Sequence, residues 1–404
     1  DLVIVGNACR PNHPEATYAR EQGLVQQSFP EALAHFFIRD RRSLVVAGTH
    51  GKTTTTSLLI HLFRSAGRDP GYLVGGVLQD DSLNYHVGEA DRFIVEGDEY
   101  DSAYFDKQPK FFHYRPTSAI VTSMELDHVD IYENWKDYRS VFQTFADRVD
   151  SNGLLVLHGD NPSVRSLARH TNARVYHYGM APRQNDIAAT DVDPSPNGQS
   201  FTLNIDGKPV EDLTIPLNGR HNLLNALAAA AIALDEGLTL DHLKEGFESF
   251  QGIRRRQEVL DTIDDIIVVD DFAHHPTAVN TTLDAMRERW PDRRIVAVFE
   301  PRSNSSRRKI FESRYANALA QADQVLLSVP PFRHNDRPDK FLDADNLAAM
   351  LDNAETPCDI YPDADTLLPQ LIDTLKPGDV AAIMSNGGFG NIHERLLEAL
   401  RSSQ

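Results

Sequence analysis

From Ser43 the sequence runs through an apolar stretch, Leu44-Val45-Val46-Ala47, into Gly48-Thr49-His50-Gly51-Lys52-Thr53. It continues with Leu58, Leu59, Leu62 and Phe63 on one helical face. A buried strand, a glycine turn and a helix N-terminus form a phosphate cradle, because successive backbone N–H groups and the positive end of the helix dipole face the anion. In such a cradle Lys52 neutralises the β- and γ-phosphates of a nucleoside triphosphate, and the Thr53 hydroxyl reaches Mg²⁺, with Thr54 next in the turn. The spacing departs from GxxxxGK[ST], since Val46 stands where its first glycine would be.

A second group of acids follows an apolar stretch in Phe93-Ile94-Val95-Glu96-Gly97-Asp98-Glu99. Nucleotide-bound Mg²⁺ needs a carboxylate nearby, and Glu96, at the end of the predicted strand, is the preferred ligand over Asp98 and Glu99, a solvated acidic loop being the alternative reading. Met124-Glu125-Leu126-Asp127-His128 follows another strand; His128 is a candidate for a second metal, or an ordinary loop or capping residue. Asn222 and Asn225 present amides on one helical face, suited to an adenine edge or to capping. Arg254-Arg255-Arg256 is a short basic run in an acidic chain, either a solvated linker or the source of an arginine for the γ-phosphate. In the last third, Asp270-Asp271-Phe272-Ala273-His274-His275, Glu300-Pro301-Arg302-Ser303-Asn304 and Ser385-Asn386-Gly387-Gly388 each follow a strand. Asp271 suits ribose hydroxyls, and an arginine beside a glycine turn suits carboxylates, although simple turn chemistry accounts for each loop alone.

The elements that must carry these residues follow from period and punctuation. The 404 residues predict two to three domains, and a formal charge of −19 argues against a polyanionic partner such as nucleic acid or an acidic membrane surface. Two cysteines far apart give neither a disulfide framework nor a thiolate metal site, and the absence of a long apolar run or leader points to a soluble, cytoplasmic protein. The chain starts at Asp1 directly in Leu2-Val3-Ile4-Val5, a strand that reads as already inside a fold. Helices are expected around Glu15–Gln22 and Phe29–Ile38. Strands are expected at Ser43–Ala47, Arg92–Glu96, Ser118–Thr122 and Leu154–Leu157, a peripheral loop or hairpin over Asp186–Gly207, and helices at Asn222–Leu234 and Leu240–Phe250. A second doubly wound α/β unit is expected from strands Ile266–Asp270, Arg294–Phe299, Gln324–Ser328, Asp359–Tyr361 and Val380–Met384.

In order, Gly48 to Thr54, Glu96, Asp127-His128, Gly219-Arg220-His221-Asn222 with Asn225, Arg255-Arg256 and Asp270 to Pro276 resemble the Mur ligase family over most of the chain. The resemblance implies an α/β architecture with three parts: the remainder of an N-terminal domain binding the uridine substrate over 1–42, a central P-loop ATP-binding parallel-sheet domain over 43–253, and a C-terminal Rossmann-like peptide-binding domain over 254–404. It implies an ATP-dependent, Mg²⁺-requiring ligase that activates a carboxylate as an acyl phosphate and joins it to an amine. Within it, Lys52 and Arg256 hold the triphosphate in the cradle of Gly48, Thr49, Gly51, Thr53 and Thr54. Thr53 and Glu96 hold the first Mg²⁺ and His128 a second metal, while Asn222, Asn225 and Asp271 address the nucleoside. His50 lies beside the muramoyl carboxylate, with Lys52, His128 and Arg256 completing the catalytic set. His113-Tyr114-Arg115-Pro116, Glu300 to Asn304 and Met384 to Phe389 are similar to the branch that joins UDP-N-acetylmuramate to the recycled tripeptide L-alanyl-γ-D-glutamyl-meso-diaminopimelate; the L-alanine-adding branch is the alternative. By that resemblance Tyr114, Arg302, Ser303, Asn304, Ser385 and Asn386 join His50 in holding substrate, with no obligate protein partner. Gln143 stands fifteen positions after His128, where several relatives carry a carbamylated lysine, as in the muramate-accepting branch, and the glycine-rich turn after the family's first strand is missing.

Overall fold

The computed structural model describes residues 2–129, 131–333 and 336–402. They fall into two compact units, one of Asp1–Asp193, Gln199–Pro216 and His221–Gln251, the other of Pro194–Gly198, Leu217–Arg220 and Gly252–Gln404.

The first unit is built on a ten-stranded sheet. Its spatial order is Lys208–Ile215, Gly198–Ile205, Ile187–Ser195, Arg174–Gly179, Leu154–His158, Ser118–Val121, Arg42–Ala47, Arg92–Gly97, Gly71–Leu73 and Tyr85–His86. Strands Arg42–Ala47, Arg92–Gly97, Ser118–Val121 and Leu154–His158 run parallel, and apart from their ends they are buried apolar runs, as a sheet covered on both faces requires. Register fixes the site: Val46 pairs with Glu96 and Ala47 with both Gly97 and Val121, so the Gly48 turn, the acidic run and the 122–128 loop leave the sheet at one edge. The helix Lys52–Ser65 leaves that turn with every residue from Thr53 to Phe63 buried. The helix Arg220–Asp235, rich in alanine, is buried along most of its length. On the other face, the helix Trp135–Asp147 closes an apolar core with Val45, Val95, Phe111, Val121, Phe142 and Phe145.

The Asp186–Gly207 stretch forms two strands and continues through Lys208–Ile215, extending the sheet at its edge. A small parallel pair, Leu2–Val5 with Val25–Ser28, accompanies the helices Pro14–Glu21 and Phe29–Leu33; the expected helix over Phe29–Ile38 changes to π form at Ala34–Ile38. Val25–Ser28 went unanticipated because Val25 is its only apolar residue.

The second unit holds a six-stranded sheet in the order Glu258–Ile263, Ile266–Asp271, Asp379–Ser385, Arg294–Glu300, Gln324–Ser328, Cys358–Tyr361. Its five parallel strands are the five expected ones. The antiparallel edge strand Glu258–Ile263 is additional, joined through Asp264 and Asp265, both left-handed at φ 48° and 60° as a tight hairpin turn demands. Asp271 pairs with Met384, Glu300 with Ser385 and Phe299 with Leu327, so the segments after these strands open on the carboxyl edge, where α/β sheets bind ligands. Among the described residues no helix is long and apolar enough to cross a membrane.

Candidate active site

The turn after Arg42–Ala47 is shaped by two glycines. Gly48 has φ 135°, and a Cβ there would stand 2.1 Å from Thr122 Oγ1 and 2.9 Å from the Ser123 nitrogen. Gly51, left-handed at φ 80°, precedes the helix, and its Cβ would stand 2.4 Å from Asn225 Oδ1. That amide oxygen also accepts from Thr55 Oγ1 at 3.2 Å, so Asn225 braces the first turn of the helix against the helix Arg220–Asp235. Thr49 Oγ1 accepts from the Glu125 nitrogen at 2.9 Å, and the His50 N–H donates to Ser123 Oγ at 2.8 Å. These bonds tie the cradle to the 122–128 loop.

Lys52 folds back over the turn. Its Nζ donates to the Gly48 carbonyl at 2.7 Å and to Glu99 Oε2 at 2.8 Å, with Asp98 Oδ1 at 4.0 Å. Thr53 Oγ1 donates to Glu96 Oε1 at 3.0 Å, and the Gly75 N–H donates to Glu96 Oε2 at 2.7 Å. Burial alone would lower Lys52, but Glu99, then Asp98 and Glu96, outweigh it and hold the ammonium above its ordinary value. Burial would likewise raise Glu99, yet Lys52 and His128 bring its carboxyl down to about 2. His128 Nε2 lies 3.2 Å from Glu99 Oε1, and its backbone is left-handed at φ 50°. Burial works against protonation of His128, and the Glu99 hydrogen bond and charge reverse that, raising it. His50 Nε2 lies 3.4 Å from Glu125 Oε2.

This donor set fits a nucleotide with Mg²⁺. The helix N-terminus, the two glycines and the buried Lys52 suit phosphate oxygens, and a threonine hydroxyl beside the Glu96 carboxylate supplies the hard oxygens that Mg²⁺ prefers. The imidazole of His128 adds a nitrogen on the far side of Glu99.

The carboxyl edge of the second unit is a separate constellation. Ser385 Oγ donates to Glu300 Oε2 at 2.5 Å, and Arg255 Nη2 donates to the Ser385 and Gly387 carbonyls at 2.7 and 2.8 Å, fixing the glycine turn. A Cβ on Gly387 would stand 2.5 Å from Arg302 Cδ, so Arg302 lies across that turn. Asn304 Oδ1 accepts from Arg307 Nη2 at 3.2 Å and from Arg333 Nη1 at 3.3 Å, and Arg333 Nη2 donates to the Arg302 carbonyl at 3.2 Å. Arg307, buried with Asp336, ties the Ser303–Asn304 turn to Pro331 and Asp336. Ser303 Oγ bonds Ser306 Oγ at 2.9 Å, and Asn386 Oδ1 has no hydrogen-bond partner among the described residues.

Residues 46–233 match the Mur ligase middle domain, and residues 255–387 match the Mur ligase glutamate ligase domain. The chain is 34% identical over 402 residues to the UDP-N-acetylmuramate–L-alanine ligase of Desulforapulum autotrophicum, spanning 99% of this chain and 86% of that protein. It is also 34% identical over 405 residues to the UDP-N-acetylmuramate–L-alanyl-γ-D-glutamyl-meso-2,6-diaminoheptandioate ligase of Escherichia coli, spanning 99% and 85%. The crystal structure of a murein peptide ligase from Psychrobacter arcticus is similar with a TM-score of 0.71 and 31% identity, over 99% of this chain and 86% of that one.

The chain belongs to the Mur ligase family. Members are ATP-dependent ligases that form amide bonds, and this Mur ligase is one of them.

Within the first unit of this Mur ligase, Gly48, Thr49, His50, Gly51, Lys52, Thr53, Glu96, His128 and Asn225 lie together at one sheet edge, with Thr54 and Asn222 buried in the flanking helices. Asn225 accepts from Thr55 and lies against Asn222, its Nδ2 donating to Asn222 Oδ1 at 3.4 Å. Tyr114 is 2% exposed and packs within the apolar core. Asp271 is also buried, accepting from the Gln257 and Ala273 nitrogens at 2.7 Å each and from Thr282 Oγ1 at 3.3 Å, so its carboxylate is engaged by its own unit. Arg256 lies over the Phe272 ring, 4.8 Å from its centroid. Gln143 pairs with His170, at 3.2 Å between amide and ring nitrogens. One residue was ranked low in the sequence and one was missed. Glu99 was ranked below Glu96 because an acid run does not reveal which member turns inward, and Arg333 lies in a segment without a motif.

Proposed function

We propose that this Mur ligase joins UDP-N-acetylmuramate to the tripeptide L-alanyl-γ-D-glutamyl-meso-diaminopimelate, the reaction named for its Escherichia coli relative, and that it serves peptidoglycan recycling in the cytoplasm. The observation that carries this reading is the pair of arginines on the carboxyl edge of the second unit. Arg302 lies across the Gly387 turn, and Arg333 bonds the Arg302 carbonyl at 3.2 Å. Two guanidinium forks suit an amine substrate bearing several carboxylates, whereas L-alanine offers one. The 34% identity to an L-alanine ligase keeps that amine as the second reading.

A carboxylate does not acylate an amine at neutral pH, because its carbonyl is electron-rich and its leaving group would be oxide. In the proposed reaction a muramoyl carboxylate oxygen attacks the γ-phosphorus, giving an acyl phosphate and ADP. The peptide amine then attacks the carbonyl, loses a proton, and expels inorganic phosphate. Thr53 and Glu96 would hold Mg²⁺, which would supply charge neutralisation for the triphosphate. The Lys52 ammonium, held over the turn by Glu99, meets the phosphate oxygens, and the cradle N–H groups hold those oxygens in line. His50, bonded through its backbone to Ser123, faces the muramoyl carboxylate.

The test is phosphate release from ATP with UDP-N-acetylmuramate and either amine. Turnover with tripeptide and little with L-alanine is expected, and the reverse preference overturns the assignment.

A further inference from the structure

We propose that Glu99 is the positioning residue of the nucleotide site, orienting the His128 imidazole so that Nδ1 is the nitrogen turned toward ligand while the same carboxylate holds Lys52 over the cradle. Glu99 is buried, and three side chains converge on it: Lys52 Nζ at 2.8 Å on Oε2, with His128 Nε2 at 3.2 Å and Tyr138 Oη at 3.3 Å on Oε1. The Tyr132 hydroxyl donates to the Glu99 carbonyl, so the backbone is anchored as well. A carboxylate needed only to balance a lysine does not have to be sealed from water and shared with an imidazole.

The imidazole geometry gives the sharper consequence. A carboxylate opposite Nε2 selects the tautomer that carries hydrogen on Nε2 and leaves the Nδ1 lone pair available. Glu99 meets Nε2, and Nδ1 is the ring's other nitrogen, the one turned away from that carboxylate oxygen's contact. The ring cannot easily turn, because the His128 backbone is left-handed at φ 50°, its N–H donates to Asp127 Oδ1 at 2.7 Å, and its ring packs 4.9 Å from that of Tyr100. Glu96 is then the carboxylate that meets the cation, and Glu99, three residues on, arranges its neighbours without touching substrate. This rests on the nucleotide chemistry proposed above but not on the choice of amine.

The experiment uses the whole chain with ¹⁵N-labelled histidine, observed by NMR at alkaline pH, where the imidazoles are neutral. His128, assigned by its disappearance in His128→Gln, is expected as the Nε2–H tautomer in the wild type, and Glu99→Gln is expected to shift it toward a mixture. With whichever amine supports turnover, Glu99→Gln lowers kcat by ~10–100-fold, the loss typical when a partner behind a ligand is removed. ADP affinity, measured by calorimetry, falls less than kcat, and Glu99→Asp, which keeps the charge but shortens the reach, recovers part of the rate. An Nδ1–H tautomer in the wild type overturns the proposal. So does wild-type kcat in Glu99→Gln. Should the Gln variant fail to fold, the wild-type spectrum and Glu99→Asp still decide.

Discussion

Lys52 Nζ stands 2.8 Å from Glu99 Oε2, a cation and an anion that are both nearly sealed from water, with side chains 11% and 1% exposed. Removing one member of such a pair strands the other, and the cost is on the order of 3 kcal/mol. Lys52→Ala is therefore expected to lose stability as well as turnover. In the double variant Lys52→Ala/Glu99→Gln the stranded charge is gone, so its loss of stability should be smaller than the sum of the two single losses. Urea unfolding of the four proteins checks this; strict additivity contradicts the pairing.

Acid should lower the protein's stability in two overlapping steps. Burial holds the His221 imidazole at about 4 against 6.5 in the unfolded chain, so its contribution is complete above 6.5 and is lost as pH falls from 6.5 toward 4. Although burial alone would raise it, Glu99 is held at about 2 against 4.5 by Lys52 and His128, so its contribution is complete above 4.5 and is lost as pH falls toward 2. In thermal unfolding across pH, His221→Gln should flatten the upper step and leave the lower one. An unchanged upper step refutes the assignment to His221.

Gly48→Ala tests the cradle. At φ 135° the backbone excludes an L side chain, and the new methyl would meet the Ser123 nitrogen at 2.9 Å, a backbone atom that cannot swing away. A stability loss of ~1–3 kcal/mol is expected from the strain, with ADP affinity reduced at least ~10-fold as the N–H groups shift. Calorimetry with ADP and a melting curve measure both.

Arg302→Ala and Arg333→Ala should each raise KM for the tripeptide by ~10-fold or more, the value of a charge-assisted bond of roughly 1.5–3 kcal/mol. KM for ATP and for UDP-N-acetylmuramate should hardly move. Steady-state kinetics with each substrate varied in turn separates these outcomes, and an equal rise in all three KM values would count against a role in amine recognition.

The strand, glycine turn and helix around Lys52 were legible because three local signals coincide: an apolar run, a Gly-Lys-Thr core and a helical stripe of leucines. The five parallel strands of the second unit were legible for the same reason, each being a short apolar run bounded by polar residues. Glu99 was not, since its partner Lys52 is 47 residues away and only the parallel register brings the two loops together. The burial of Tyr114 was not legible either: its neighbours His113 and Arg115 are polar, but its ring packs into the core, a tertiary outcome that no local pattern carries. Asp271, read as a ribose acceptor, instead receives backbone N–H groups from Gln257 and Ala273 and fastens its own loop. The edge strand Glu258–Ile263 alternates too weakly to be seen without its neighbour Ile266–Asp271.

The most direct measurement follows oxygen. UDP-N-acetylmuramate labelled with ¹⁸O in its muramoyl carboxylate is turned over with ATP and tripeptide, and the released phosphate is analysed by mass. Attack of that carboxylate on the γ-phosphorus predicts one ¹⁸O in each phosphate, with no release from Lys52→Ala; phosphate free of label, accompanied by amide product, would contradict it.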